Sequence, residues 1–286
     1  MKFIRMHRLT MICTASTILS AAMLTSHASA ATLVNDSFLD NERSTQLLPT
    51  SVQWFGANAT TTLDASSGAL VVPAVSSSGA LGFFMPSGAP LTMSAGDSLQ
   101  LSFTLTTPAS GGKVDPNTFL YGLLNSGGTR PTADGIFNSS IYNNDVGYLA
   151  SAPLVGAHGA RNTIVQRTPG SNNLTLNTNY SVIGTATATP NLPAGGTYAY
   201  SLLLELGDTQ MTLTSNMGGV EVVRVDEADL VTSFDSMFIF ISSNPAVTVD
   251  NITLEYTSAA VPEPATMGLL GVGLLGLLRR RCRRLA

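Results

Sequence analysis

The sequence predicts an all-β domain, an antiparallel β-sandwich, and three observations carry that reading. Polar and apolar residues alternate with a period of two in several long runs. Gly, Pro, Asn and Asp punctuate those runs at intervals of roughly 8–12 residues. Outside the two ends, no apolar stripe with a 3.6-residue period lasts more than two turns.

The clearest strand is Ser98 to Thr106, with Leu99, Leu101, Phe103 and Leu105 on one face and Gln100, Ser102 and Thr104 on the other. Gly96-Asp97 before it and Pro108 after it are turn signals. Tyr198, Tyr200, Leu202, Leu204 and Leu206 repeat the alternation. Gly207-Asp208 then turns the chain into Met211–Leu213, and Met217-Gly218-Gly219 turns it into Val220–Val225, which makes a three-strand meander. Phe234 to Ile241 is apolar on both parities and reads as a central strand buried on two sides. Val247 to Tyr256 reads as a long final strand. The stretch from Asn125 to Asn179 is rich in Asn, Gly and Thr and reads as long loops over the scaffold. No linker divides the body, so residues 31–257 are expected to form one sandwich.

Composition narrows the function. Of 14 Lys and Arg, three precede Ala31 and five follow Thr266. Six remain between them against 18 Asp and Glu, so the body carries a formal charge near −12 although the whole chain shows −4. That excess disfavours nucleic acid and anionic lipid as partners and suits neutral glycans or cations. Both cysteines, Cys13 and Cys282, lie in the end segments, so the body has neither a disulfide nor a thiol nucleophile.

Residues 1–30 read as a signal peptide. Lys2, Arg5 and Arg8 precede an apolar stretch from Met11 to Leu24, and Ala28-Ser29-Ala30 offers signal peptidase a cleavage site after Ala30. At the other end, Val261-Pro262-Glu263-Pro264-Ala265 excludes helix and central strand because two prolines fix φ. Met267 to Leu278 is wholly Met, Gly, Leu and Val, and Arg279, Arg280, Arg281, Arg283 and Arg284 stop it. At ~1.5 Å per residue, a helix from Ala265 to Leu278 reaches only about 21 Å, short of a ~30 Å hydrocarbon core. By the positive-inside rule the arginines stay cytoplasmic and the body lies outside.

This order of motif, apolar run and basic end resembles the PEP-CTERM sorting signal of Gram-negative bacteria. The resemblance divides residues 258–286 into a motif (261–265), an apolar helix (266–278) and a basic tail (279–286). It implies processing by an exosortase-type protease, transient anchoring in the inner membrane and delivery to the envelope or exopolysaccharide matrix. The body resembles concanavalin A-like jelly-roll domains of extracellular proteins. That likeness rests on Asn35-Asp36-Ser37-Phe38 through Leu48-Pro49-Thr50-Ser51 to Trp54-Phe55, and on Phe234–Ile241 followed by Val249-Asp250-Asn251-Ile252. In such folds the terminal strands pair and often hold a structural calcium, which singles out Asp36 and Asp250.

Catalytic sets are not legible, and no catalytic residue is assigned. His158 is the body's one histidine and has no His, Cys or Glu at ligand spacing. No Gly-x-Ser-x-Gly elbow occurs. Asp226-Glu227-Ala228-Asp229 spells a helicase signature without a phosphate loop, and reads as a solvated turn. Jelly-roll glucanases commonly carry Glu-x-Asp-x-x-Glu on one strand, and Glu221 to Asp226 does not fit that spacing. Glu205, Glu221 and Glu255 read as decoration of a solvated sheet face. Sugar binding needs flat aromatics beside amides and carboxylates, which Trp54, Tyr121, Tyr142, Asp145 and Tyr148 could supply. The expectation is a non-enzymatic matrix or glycan-binding protein without a cofactor. A polysaccharide-acting enzyme and an adhesin without glycan affinity are the alternatives.

Overall fold

The alternating runs form two antiparallel seven-stranded sheets packed face to face. The computed structural model describes residues 29–57, 61–73, 78–107, 109, 119–136, 139–152, 163–174, 179–185, 193–241 and 246–259. In chain order the strands are β1 (Ser29–Asp36), β2 (Gln53–Gly56), β3 (Leu70–Val72), β4 (Ser78–Phe83), β5 (Leu91–Thr92), β6 (Ser98–Thr106), β7 (Phe119–Asn125) and β8 (Val146–Ala152). They continue with β9 (Thr163–Arg167), β10 (Tyr180–Thr185), β11 (Thr197–Leu206), β12 (Met211–Met217), β13 (Val220–Asp226), β14 (Ser233–Phe234), β15 (Ser236–Ile241) and β16 (Val247–Ser258).

Sheet A runs β1-β16-β6-β11-β12-β13, with β3 also pairing to β16. The expected meander is its β11-β12-β13 half, and the first and last strands pair antiparallel. In β6 and β12 the inward residues are buried and the outward ones half-buried, because each strand has one core face and one open face. A β-bulge at Asp250-Asn251 shifts the parity of β16, so Val247 and Val249 before it and Ile252 and Leu254 after it all face the core. Asn251 takes the positive φ of 52° that the bulge requires.

Sheet B runs β10-β9-β8-β7-β15-β4-β2, and β5 pairs with β14 in a separate ribbon. The expected single strand Phe234–Ile241 is broken at Asp235, whose carboxylate turns inward to bind backbone. As read, β15 is central and every residue of it is buried, between β7 and β4. The stretch read as loops, Asn125 to Asn179, contains β8 and β9 as well as loops. The two strands are buried on both faces, so they show no alternation in the sequence.

Between the sheets lies one continuous core. Its centre is a four-ring cluster in which Phe103 stacks on Tyr200 at 5.4 Å while Phe119 and Tyr121 meet them edge-on. Trp54 lies flat against β4, where a Cβ on Gly82 would come within 2.8 Å of its ring. A second cluster covers the outer face of sheet B, including Phe55, Leu81, Phe83, Leu149, Phe238 and Phe240. Sheet B is therefore packed on both sides and sheet A on one.

Candidate functional site

Two surfaces have the composition of a site, and they differ in kind. The first is the roof over the outer face of sheet B. The β7–β8 and β9–β10 connections fold back across the second core. A 3-10 turn, Ser140–Tyr142, is capped by the Ser139 hydroxyl and drops Tyr142 into that core. Arg167, the last residue of β9, is fully buried and stitches both loops to the sheet. Its guanidinium donates to the carbonyls of Asn173 (3.0 Å), Tyr142 (3.0 Å) and Ser171 (2.9 Å) and lies over the Tyr180 ring at 5.7 Å.

Two carboxyl groups share this roof. Asp235 is fully tied, accepting from the Ser126 N–H (2.9 Å) and hydroxyl (2.5 Å), from the Ser236 hydroxyl and from Arg130 at 3.3 Å. Arg130 in turn lies 4.3 Å over the Phe83 ring and donates to the Met85 carbonyl. Asp145 is 2% exposed, and its Oδ1 has no hydrogen-bond partner among the described residues. Burial pushes its carboxyl up to about 8; the Arg167 charge pulls the other way and Asp235 adds to the rise. At neutral pH the Asp145 carboxyl is therefore largely protonated, and Arg167 is held by carbonyl dipoles rather than by a carboxylate. Both acids are sealed under the loops, so their chemistry here is structural: they order the roof.

The second surface is the open face of sheet A. Across the strands, Thr253, Ser102, Ser201 and Asn216 stand in register as one polar row. Above and beside it lie Gln100, Thr104 and Asn251, and Ala199 leaves a depression where its neighbours have longer side chains. Thr253 apart, they line a groove of about 400 Å³, floored by Phe103 and Tyr200, whose rings belong to the core. Gln100 donates to Ser102 Oγ at 3.4 Å, and the Thr104 hydroxyl donates to the Asp250 carbonyl at 3.1 Å. The side chains that open into the groove are hydroxyls and amides, which both donate and accept hydrogen bonds. They carry no charge at any ordinary pH, so the groove suits a neutral polar ligand.

Of the residues expected to bind sugar, Tyr142 and Asp145 come together under the roof, and none lines the open groove. Trp54 is buried between the sheets, its indole N–H donating to Asp36 Oδ2 at 3.3 Å. Tyr121 is buried there too, its hydroxyl 2.8 Å from Ser215 Oγ. Tyr148 donates to Asp226 Oδ2 at 2.9 Å and accepts from the Val231 N–H. Tyr142 is buried under the roof with its hydroxyl on the Ile136 carbonyl, beside Asp145. None of these rings offers a face to solvent, because each is large enough to be claimed by one of the two cores. The same contact corrects the Asp226 turn: Glu227 and Asp229 are solvated, whereas Asp226 is 8% exposed and bonded to Tyr148.

The two acids singled out for calcium stand apart. Although β1 and β16 pair as expected, Asp36 faces the core opposite Ile252 while Asp250 stands on the outer face. Asp36 spends its oxygens on the N–H groups of Phe38, Val52 and Trp54, and Asp250 caps Asn251. Among the described residues, no group of three or more His, Cys, Asp or Glu is placed to hold a metal ion. Ala30 is exposed in β1 opposite Thr257. Ala28, His158, the motif Val261–Pro264, the apolar run and Arg279, Arg280, Arg281, Arg283 and Arg284 lie outside the described residues.

Sequence reasoning missed Arg167, Arg130 and Asp235. Little local marks them, since apart from the Ser236 hydroxyl on Asp235 their partners are 4 to 109 residues away. The groove was visible as the polar half of the Ser98–Thr106 alternation, but the sequence gives no depth to a sheet face.

Comparison with known proteins settles the tail and the fold. Residues 260–284 match the PEP-CTERM protein-sorting motif. A PEP-CTERM motif marks an exported protein sorted to the envelope, and it lies here where the order of motif, apolar run and arginines placed it. No curated protein sequence matches the chain. The sandwich is similar to lectin domains of solved structure. The metal-free carbohydrate recognition domain of Emp46p superposes with a TM-score of 0.50 at 10% identity, over 80% of this chain and 97% of that one. The basic winged bean lectin with Tn-antigen gives 0.48 at 11% identity, over 80% and 98%. Peanut lectin with a nine-residue peptide gives 0.47 at 9%, over 81% and 98%. At these identities the likeness is one of fold, a lectin-like jelly-roll sandwich.

Proposed function

We propose that this chain is a non-catalytic matrix protein of a Gram-negative envelope that binds a neutral glycan on the open face of sheet A. The observation that carries the reading is the uncharged groove of hydroxyls and amides around Ser102, Ser201 and Asn216, held on a rigid sheet. Sugar hydroxyls are recognised by such pairs of donor and acceptor groups. The shared fold with a carbohydrate recognition domain makes glycan the first ligand class to try, and the acidic body disfavours anionic polymers. Export begins with signal-peptidase cleavage after Ala30. The 266–278 helix holds the chain briefly in the inner membrane with residues 279–286 cytoplasmic, until an exosortase-type protease acts at the motif and the domain joins the exopolysaccharide.

The test is retention of residues 29–259 on an array of neutral and acidic polysaccharides. Binding confined to neutral chains, and lost in Ser201→Tyr at unchanged melting temperature, supports the proposal. Binding that survives a filled groove places the ligand elsewhere. Turnover of a polysaccharide that a single Asp or Glu substitution abolishes overturns the non-catalytic reading.

A further inference from the structure

The end of β16 is held around one carboxylate. Asp97, in the tight turn that opens β6, is 4% exposed. Its Oδ1 accepts the Ala259 N–H at 2.6 Å, and its Oδ2 accepts the Tyr256 hydroxyl at 2.6 Å and the Ser94 N–H at 2.7 Å. Burial raises the Asp97 carboxyl, but the bonds from Tyr256, Ala259 and Ser94 outweigh it and hold the group below the usual carboxylate range. The neighbouring residue is shaped for the same contact. Gly96 has φ of +90°, and a Cβ there would meet the Ala259 Cβ at 2.8 Å. Position 96 therefore excludes a side chain twice over, once for the turn and once for the approach of Ala259.

Ala259 is the residue immediately before the matched sorting segment, which starts at 260. The opposite end of the body is tied to the same place. Ala31, the first residue after the expected cleavage, pairs with Tyr256, and Thr32 pairs with Glu255. Both processing junctions thus lie at one end of the β1–β16 pair. Proteases act on chain that is locally open, and backbone bonded into a sheet is protected in proportion to the free energy of opening.

We propose that Asp97 is the positioning residue for processing of the tail: it fixes the end of β16, so that the chain is bonded into the sandwich as far as Ala259, the residue before the sorting segment. Without it, fraying of Tyr256 to Ala259 would expose β16 itself to cleavage and blur the boundary. The inference rests on the sorting reading for its biological role, but the clamp itself is a property of the folded domain.

Two measurements on the full chain in the producing cells and on the purified protein decide it. The first is hydrogen exchange at the Ala259 amide, which should be roughly tenfold to a hundredfold faster in Asp97→Ala, the change expected for a lost bond to a charged acceptor. Asp97→Asn, which keeps one acceptor oxygen, should fall between the two. The second is the C-terminal residue of the mature protein by mass spectrometry. The wild type should give one sharp end beyond Ala259, and Asp97→Ala a ragged set reaching into β16. Ile241→Ala, in the core of sheet B, serves as the control for lost stability and should keep the sharp end. Unchanged Ala259 exchange in Asp97→Ala overturns the clamp. A ragged end in Ile241→Ala shows that general stability, not Asp97, sets the boundary, and overturns it too. A wild type that keeps residues 261–286 sinks the sorting reading, while the exchange result still decides the clamp.

Discussion

The two outer faces of the sandwich are made by strands of similar length and end in opposite states. Sheet A presents a bare polar surface, whereas sheet B carries a second apolar core under a roof of loops. The connections explain the difference. Four residues join β11 to β12 and two join β12 to β13, too few to fold back over that half of sheet A. Twenty residues join β7 to β8 and twelve join β9 to β10, enough to fold back over sheet B. Once covered, that face could take Phe238 and Phe240 at outward positions of β15, and it required buried charge to fasten the loops. The uncovered face is mainly Ser, Thr, Gln, Asn and Glu, with Val223 and Val225 exposed on its outermost strand β13. Where the turns are shortest, across β11 to β13, the face stays open, and where the β7–β8 and β9–β10 loops return over the sheet it becomes core.

The comparison breaks most easily at Arg167. Arg167→Ala should cost about 3–5 kcal/mol in denaturant unfolding, since it strands three buried carbonyls and removes the charge facing Asp145. A loss below about 1 kcal/mol would mean the roof is held by something else. Phe238→Ala, by opening a cavity in the second core, should cost about 3 kcal/mol or somewhat more.

Asp145 gives a smaller effect with a distinctive pH signature. Its folded carboxyl titrates at about 8 and its unfolded one near the ordinary 3.8, so the folded state holds the proton more tightly. The stability it contributes is full below about pH 4 and is lost as pH rises through about 8. Asp145→Asn should flatten that decline and raise stability at pH 8 by roughly 1–3 kcal/mol. Urea midpoints at pH 5 and pH 8 check it, and an unchanged slope would show that Asp145 is not the titrating group. On the open face, Gln100→Ala and Ser102→Ala should shift stability by less than about 0.5 kcal/mol. If either costs as much as Phe238→Ala, sheet A is not the free face described here.

Sheet A was readable in the sequence almost strand by strand, because a half-open sheet writes its two environments into alternate residues. β6 runs over the expected Ser98–Thr106, and β11 to β13 follow at the expected turns. Sheet B was harder for the same physical reason in reverse. With both faces buried, Val146–Ala152 and Thr163–Arg167 carry no period, and they fell within a stretch read as loop. The candidate site suffered most. Aromatics were expected at a ligand, yet in a domain with two cores Trp54, Tyr121, Tyr142 and Tyr148 were all worth more inside. Arg167 and Asp97 act through carbonyls, hydroxyls and amides far along the chain, contacts that leave no local pattern.

The burial of Trp54 also gives the protein a built-in optical gauge. It is the sole tryptophan of the chain, and its indole N–H rests on Asp36 at the end of β1. Intrinsic fluorescence therefore reports from a single position where the first strand meets sheet B. A blue emission marks the closed sandwich, and a red shift marks the moment β1 lets go. Because β1 is also the strand paired with β16, the same signal follows the two ends of the domain as they part.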